Sequence, residues 1–356
     1  MKGRSSVLRR TLISAACAAV IMWGLLYAPT PYVVYEPGIA IPVASLMERG
    51  GISAEVGGGE EGLLLTAVKL SAPNMWEVAK AVIHRDKEVA WKRDVFSGGS
   101  QRQFAERLTV IMQGSQNDAL EAAYRNLGVG YRKEPQSLVV SDVQRIAGQP
   151  ASGFRAGDVI IGVHDGEGIS GADEAVTVLR QHQGKESLTL DVRGTDGKKR
   201  VVRIPLPESG TSSLTLEQLP IILGVTGFIE LRAIVAEEAS QQLAITANGI
   251  GGPSAGLVFA LQGINLLTEE KLADDIRIAA TGTIAPDGKV GAIGGVRQKV
   301  VSTSLQGAEL FLVPKDNERE ARRKSKAIGS EMKIVGISTL EEALAAIADY
   351  RRTAAR

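Results

Sequence analysis

The chain has 356 residues, with 41 Lys and Arg against 40 Asp and Glu, for a formal net charge of +1. That balance leaves no surplus of cations to neutralise a phosphate backbone, which excludes nucleic-acid binding of the electrostatic kind. A single cysteine, Cys17, excludes an internal disulfide and a cysteine-based zinc site, and His84, His164 and His182 lack metal-ligand spacing. No metal and no cofactor is expected.

The length suits two or three domains. Residues 1–31 read as a cytoplasmic N-terminus and a membrane anchor. Lys2, Arg4, Arg9 and Arg10 precede a charge-free run, residues 11–28, that is just long enough to cross a bilayer core. Basic residues before the run and none directly after it place the N-terminus in the cytoplasm and the bulk of the chain outside. Pro29 and Pro31 follow so closely that cleavage of the run as a signal peptide is disfavoured.

Residues 32–128 read as a mixed strand and helical segment. Tyr32 to Gly38 reads as a strand running into a turn, Leu63 to Leu70 is strand-like, and residues 57–62 form a glycine- and glutamate-rich loop. Asn74 to Val95, Gln101 to Met112 and Asp118 to Leu127 show helical periodicity, the last ending at Gly128. Their charges read as solvated helix faces, and no chemistry is expected from this segment.

Residues 129–206 have a different texture. Strand-like Leu138 to Val143 is followed by Pro150-Ala151-Ser152-Gly153-Phe154-Arg155-Ala156-Gly157-Asp158-Val159-Ile160. A helical Ala172 to Gln181 comes next, then strands Ser187 to Arg193 and Arg200 to Leu206 around an Asp196-Gly197 hairpin turn. This order resembles a bacterial protease-associated PDZ domain. The resemblance implies peptide binding by strand addition at an edge formed by Leu138, Val139 and Val140. The preceding Glu134-Pro135-Gln136-Ser137 lacks the glycine of the family's carboxylate-binding loop. Residues 207–213 have linker composition.

Residues 214–356 form the last domain. Strands are expected at Ile229 to Val235, Leu243 to Ala247, Ile276 to Thr283, Leu310 to Val313 and Ile334 to Val335. Helices are expected after Pro253, near Gly295, and over Asn317 to Ala327 and Thr339 to Tyr350. In Asn248-Gly249-Ile250-Gly251-Gly252-Pro253-Ser254-Ala255-Gly256, a glycine-rich turn delivers a serine to the first turn of a helix. Free N–H groups there favour developing negative charge, as acyl transfer by a serine requires. By itself the stretch reads first as a helix start with Pro253 at or near its first position and Ser254 as an ordinary polar residue. A serine nucleophile needs a base, and no histidine lies beyond His182. The alternative is a lysine kept neutral by burial, for which Lys299, in the first turns of the helix after Gly294-Gly295, is the candidate.

Gly252-Pro253-Ser254-Ala255-Gly256, then Ala280-Thr281-Gly282-Thr283, then Gly294-Gly295 followed by Lys299, resemble the proteolytic domain of Lon proteases in order and spacing. With the anchor and the PDZ-like segment ahead, the chain resembles membrane-anchored PDZ–Lon-type peptidases. The resemblance implies Ser254 as nucleophile, Lys299 as general base, and support from Thr281 and from Gly252, near which backbone N–H groups would hold the oxyanion. It also implies protein or peptide substrates and a ring-shaped homo-oligomer. Gly251 stands where such enzymes carry an acidic residue, and no Gly-x-x-x-x-Gly-Lys-Ser/Thr phosphate loop occurs in these residues. The expectation is an α+β multidomain protein acting as an ATP-independent serine endopeptidase on extracytoplasmic substrates. The alternative is an inactive, membrane-tethered adaptor that binds peptides.

Overall fold

The computed structural model describes residues 2–53, 62–96, 99–143, 153–182, 184–206, 214–247, 249–268, 271–273 and 276–354. Most of the 57–62 loop, the 207–213 linker, Asn248 and residues 150–152 of the PDZ-like motif lie outside the described residues.

Helix α1 (Lys2–Tyr27) stops where Pro29 and Pro31 deny further helical hydrogen bonds. Its stretch Arg9–Tyr27 is long and apolar enough to span a membrane, with mean hydropathy 1.5. After it come β1 (Tyr32–Pro42), the short β2 (Met47–Arg49) and β3 (Ile52–Ser53), and β4 (Gly62–Ser71). Then follow α2 (Met75–Ile83), β5 (Glu88–Trp91), α3 (Lys92–Val95) and α4 (Gln101–Leu127). The expected helix over Asn74 to Val95 is therefore interrupted. Glu88–Trp91 instead pairs antiparallel with the start of β1. Its exposed ends, Glu88 and Trp91, suit an edge strand, whose outer side faces solvent. Helix α4 joins the two expected helical stretches into one, opened by a Ser100–Gln103 capping box and closed by a left-handed Gly128.

Next come β6 (Tyr131–Asp142), β7 (Val159–Val163), α5 (Ala172–Gln181), β8 (Ser187–Arg193) and β9 (Lys199–Pro205). The C-terminal segment adds α6 (Leu219–Leu223), β10 (Gly227–Ala236), β11 (Leu243–Ile245), α7 (Gly256–Leu267), β12 (Arg277–Ala280), β13 (Thr283–Ile284) and β14 (Val290–Gly291). It ends with α8 (Val296–Leu305), β15 (Leu310–Pro314), α9 (Lys315–Ala327), β16 (Lys333–Ile337) and α10 (Leu340–Ala354).

The main sheet has six strands in the order β16-β15-β12-β4-β1-β5. Sequence texture separates 32–128 from 214–356, but this sheet joins them: β4 pairs parallel with β12, and Leu65 lies opposite Ala280. Helices α8 and α9 cover one face, packing Val296, Val300 and Ala321 on Leu64, Ala279, Phe311 and Val313. Helices α4, α7 and α10 cover the other, against Leu63, Leu65, Ile278, Ala280 and Leu312. Strands β4, β12 and β15 are accordingly rich in apolar residues on both faces, as central strands in a three-layer arrangement must be.

A five-stranded antiparallel sheet, β10-β6-β7-β8-β9, forms a second unit between α4 and β11, with its own core around Leu138, Val140, Ile160, Leu179 and Leu190. Here one expectation is corrected. Leu138, Val139 and Val140 do not form an open edge, because β10 pairs with β6 from Gly227–Asp142 to Ala236–Tyr131 and β7 takes the other side. All three residues are buried. The apolar alternation of Gly227 to Ala236 lets a strand about 90 residues later fill the position assigned to an external peptide.

Candidate active site

The two halves of the site arrive from opposite faces of the main sheet. Ser254 lies in the tight turn Pro253–Ala255 that leads into α7. Lys299 lies one turn into α8, its N–H donating to Gly295 O at 3.1 Å. Both reach the carboxyl end of β12, where Thr281 follows the last strand residue. Crevices at the carboxyl ends of parallel strands are the usual place for sites in such sheets.

The Gly252 backbone has φ 89° and ψ 156°, a conformation that glycine adopts without a Cβ penalty. It turns the chain sharply into Pro253, whose fixed φ suits a first helical position. Helix α4 holds this loop at two points. The Gly252 N–H donates to Leu108 O at 2.9 Å, and Ser115 Oγ donates to Pro253 O at 3.0 Å. The position of Gly251 is now explained: a Cβ there would meet Leu108 Cβ at 3.0 Å, so α4 packs where a larger residue would need room. One expectation about Gly252 is corrected by the same contact. Its amide is committed to Leu108 O, so Gly252 shapes the turn and is not an open oxyanion donor. The Ser254 and Ala255 amides lie in the first turn, where a helix supplies no acceptor of its own.

Lys299 Nζ lies 2.8 Å from Ser254 Oγ. It also lies 2.8 Å from Thr281 Oγ1 and 3.2 Å from Thr66 O. Thr281 Oγ1 in turn donates to Ser254 O at 3.0 Å. Lys299 is only 2% exposed and Thr281 is fully buried. Burial pushes the amine down to about 7, because a charged ammonium loses its hydration there. No carboxylate contacts the amine to oppose that shift among the described residues. A neutral amine has two N–H donors and one lone pair. Thr66 O and the Thr281 hydroxyl take the two donors, and the lone pair is left for the Ser254 hydroxyl proton. The hydroxyl of Thr281 is used in both directions, as acceptor from the lysine and donor to the loop.

A cavity of about 260 Å³ opens beside Ser254 and Lys299. Tyr35, Ile39, Val68, Leu70, Phe104, Leu108 and Met112 give it a largely apolar wall. These residues come from β1, β4 and α4, in the segment where sequence alone promised no chemistry. Thr66, Leu108 and Ser115 were missed for a plain reason. Two of them act through backbone carbonyls, which carry no residue-type signal, and the third is an ordinary helix serine until the packing of α4 on α7 is known.

The family model for the Lon protease (S16) C-terminal proteolytic domain matches residues 244–349. Residues 244–349 are a Lon-type proteolytic domain. The chain is 37% identical over 98 residues to "Lon protease homolog 2, peroxisomal" of Caenorhabditis elegans, covering 28% of this chain and 12% of that one. It is 33% identical over 93 residues to a Lon protease of Trichlorobacter lovleyi, covering 26% and 11%, and 32% identical over 84 residues to one of Clostridium acetobutylicum, covering 24% and 10%. The chain thus spans about a tenth of the length of the curated relatives it matches. The matching model describes a proteolytic domain. Its matched region holds Ser254, Thr281 and Lys299, whereas Thr66, Leu108 and Ser115 lie outside it.

Thr281→Val is expected to lower kcat by about 10- to 100-fold with little change in KM, since it removes one partner of the lysine amine but no substrate contact. Steady-state kinetics on a fluorogenic peptide, with circular dichroism as a fold control, checks it. An unchanged kcat would show that the hydroxyl does not position the amine.

Proposed function

We propose that this chain is a membrane-anchored serine endopeptidase that cleaves extracytoplasmic proteins or peptides without hydrolysing ATP itself. The reading rests above all on the 2.8 Å approach of the buried Lys299 amine to Ser254 Oγ. Neutral Lys299 accepts the Ser254 proton as Oγ attacks the peptide carbonyl carbon. The C=O electron pair moves onto oxygen, and the Ser254 amide at the helix start stabilises that charge. The ammonium then protonates the departing amine as the C–N bond breaks. A water molecule, deprotonated by the same amine, hydrolyses the acyl-enzyme and restores Ser254.

Helix α1 supports the anchor, and the basic residues in its N-terminal part, ahead of the charge-free run, orient the bulk of the chain outward. Little ATP is available there, and the residues present supply no phosphate loop, which favours substrates that are already unfolded segments, loops or tails. The five-stranded unit resembles a PDZ domain. With β10 seated on β6, we assign it a regulatory or bracing role in place of peptide capture at Leu138–Val140. Assembly into a ring follows from the family resemblance alone.

The pH dependence tests the base. A lysine titrating near 7 in the free enzyme makes kcat/KM rise about tenfold per pH unit on the acidic side and level off above neutrality. Peptide-cleavage rates across that range measure it. A profile flat through neutrality would remove Lys299 as the base.

A further inference from the structure

All three tryptophans of the chain lie on elements that pack together around α2. Trp23 lies in the last turns of α1, Trp76 in the first turn of α2, and Trp91 at the end of β5. Helix α2 packs against both α1 and β5. Its sequence, Met-Trp-Glu-Val-Ala-Lys-Ala-Val-Ile, has only two charged residues. Val78 and Ala81 face the protein, yet Trp76 is 54%, Val82 70% and Ile83 85% exposed, and Trp91 is 51% exposed. A helix apolar on its outer side as well as its inner side calls for a cover.

The connection to α1 identifies that cover. Only residues 28–31 separate α1 from β1, and they are fastened to the body on two sides. Thr30 Oγ1 donates to Pro73 O at 2.8 Å, just before α2, and Lys92 N–H donates to Pro31 O at 2.8 Å, just after β5. The body therefore cannot stand away from whatever α1 enters. The headgroup layer is about 5–7 Å deep on each side of the hydrocarbon core. Tryptophan and tyrosine concentrate there, and lysines reach out of it along apolar surface. Lys80 Nζ lies 6.0 Å from the Trp76 ring centroid, and Tyr32 packs on Trp91 with the rings tilted by 44° and their centroids 4.6 Å apart.

We propose that α2 and the Trp91 end of β5 form a lipid-docking face, seated in the headgroup layer of the bilayer that α1 crosses. The proposal rests on the anchor assignment made above. It adds that the peptidase body lies against the membrane and does not swing on a tether. It also fixes the reach of the site. Tyr35, in the wall of the catalytic cavity, is eight residues after Tyr27, so the cavity lies within about 28 Å of the end of α1. Substrate segments close to the membrane surface are the ones within reach.

Three single-tryptophan forms of the full chain, made by replacing the other two tryptophans with Phe, test this in nanodiscs of phosphatidylcholine and phosphatidylglycerol. Emission is compared between ordinary lipid and lipid brominated in the upper acyl chain. The Trp76-only and Trp91-only forms are expected to lose most of their emission in brominated lipid, as the Trp23-only form does. Adding Val82→Asp and Ile83→Asp to the Trp76-only form restores its emission while leaving peptide cleavage unchanged. Quenching of Trp23 without quenching of Trp76 and Trp91 would overturn the docking face and leave the anchor standing. Absence of quenching at Trp23 would overturn the anchor and the docking face with it. Unquenched Trp76 in a form that self-associates would assign the face to a second copy of the chain.

Discussion

Ser254→Ala is expected to abolish peptide cleavage, lowering kcat/KM by roughly 10⁴-fold or more while the fold is kept. The substitution removes one oxygen atom from a partly buried loop. The contacts that shape that loop come from elsewhere: Gly252 N–H to Leu108 O, Ser115 Oγ to Pro253 O, and Thr281 Oγ1 to the Ser254 carbonyl. None of them uses the serine hydroxyl. The loss is therefore specific to the nucleophile, and kinetics on the purified variant together with its melting temperature separate it from misfolding. Lys299→Met should be as inactive, because residues acting as one unit give non-additive losses, and the double variant should be no worse than either single one. Residual cleavage in Ser254→Ala above that of the double variant would point to another nucleophile.

Lys299→Met is also expected to raise stability, with a pH dependence of definite sign. The amine titrates near 7 in the folded protein against 10.5 as the ordinary lysine value. Between those values the unfolded chain binds a proton that the folded chain does not, so stability of the wild type rises with pH through that window. Below about 7 both states are protonated and the full cost of burying the lysine, on the order of several kcal/mol, is present. Methionine keeps the aliphatic volume and removes that cost. Against it stands the stripped Thr66 carbonyl, worth about 1–3 kcal/mol, since Thr281 and Ser254 can still pair with each other. Desolvation is the larger effect, so the variant should melt several degrees higher near neutral pH, with the gain shrinking toward pH 10.5. Calorimetry at neutral and alkaline pH measures it. A gain that does not change with pH would mean that the lysine is not held neutral.

The sequence carried the local elements well where the periodicity was strong. Ala172–Gln181 and Ser187–Arg193 occur with the expected bounds, because the buried Ala172, Ala175, Val176 and Leu179 recur at helical spacing and the buried residues of the strand alternate with the others. What it could not carry was partnership between distant segments. A strand pattern says that one face is buried but not which strand lies beside it. Leu138–Val140 thus read as an open edge until β10 was found on it, and β4 read as part of a separate segment until it was found beside β12. Glu88–Trp91 was lost inside a helical window because four residues are too few for a period to show. At the site, Ser254, Thr281 and Lys299 were legible as residue types at motif positions, and the structure brings all three together within hydrogen-bond distance. The role of Gly252 was legible only in part. Its need for a positive φ follows from the turn, whereas the loss of its amide to Leu108 O depends on a helix about 140 residues earlier.

The central claim is that Ser254 is a nucleophile made reactive by Lys299. Its most direct test is covalent: treatment of the folded, full-length protein with a serine-reactive phosphonate, followed by mass-spectrometric mapping of the adduct. A single adduct on Ser254 is predicted in the wild type, with its formation lost in folded Lys299→Met. An unlabelled Ser254, an adduct on a different serine, or equal labelling in Lys299→Met would contradict it.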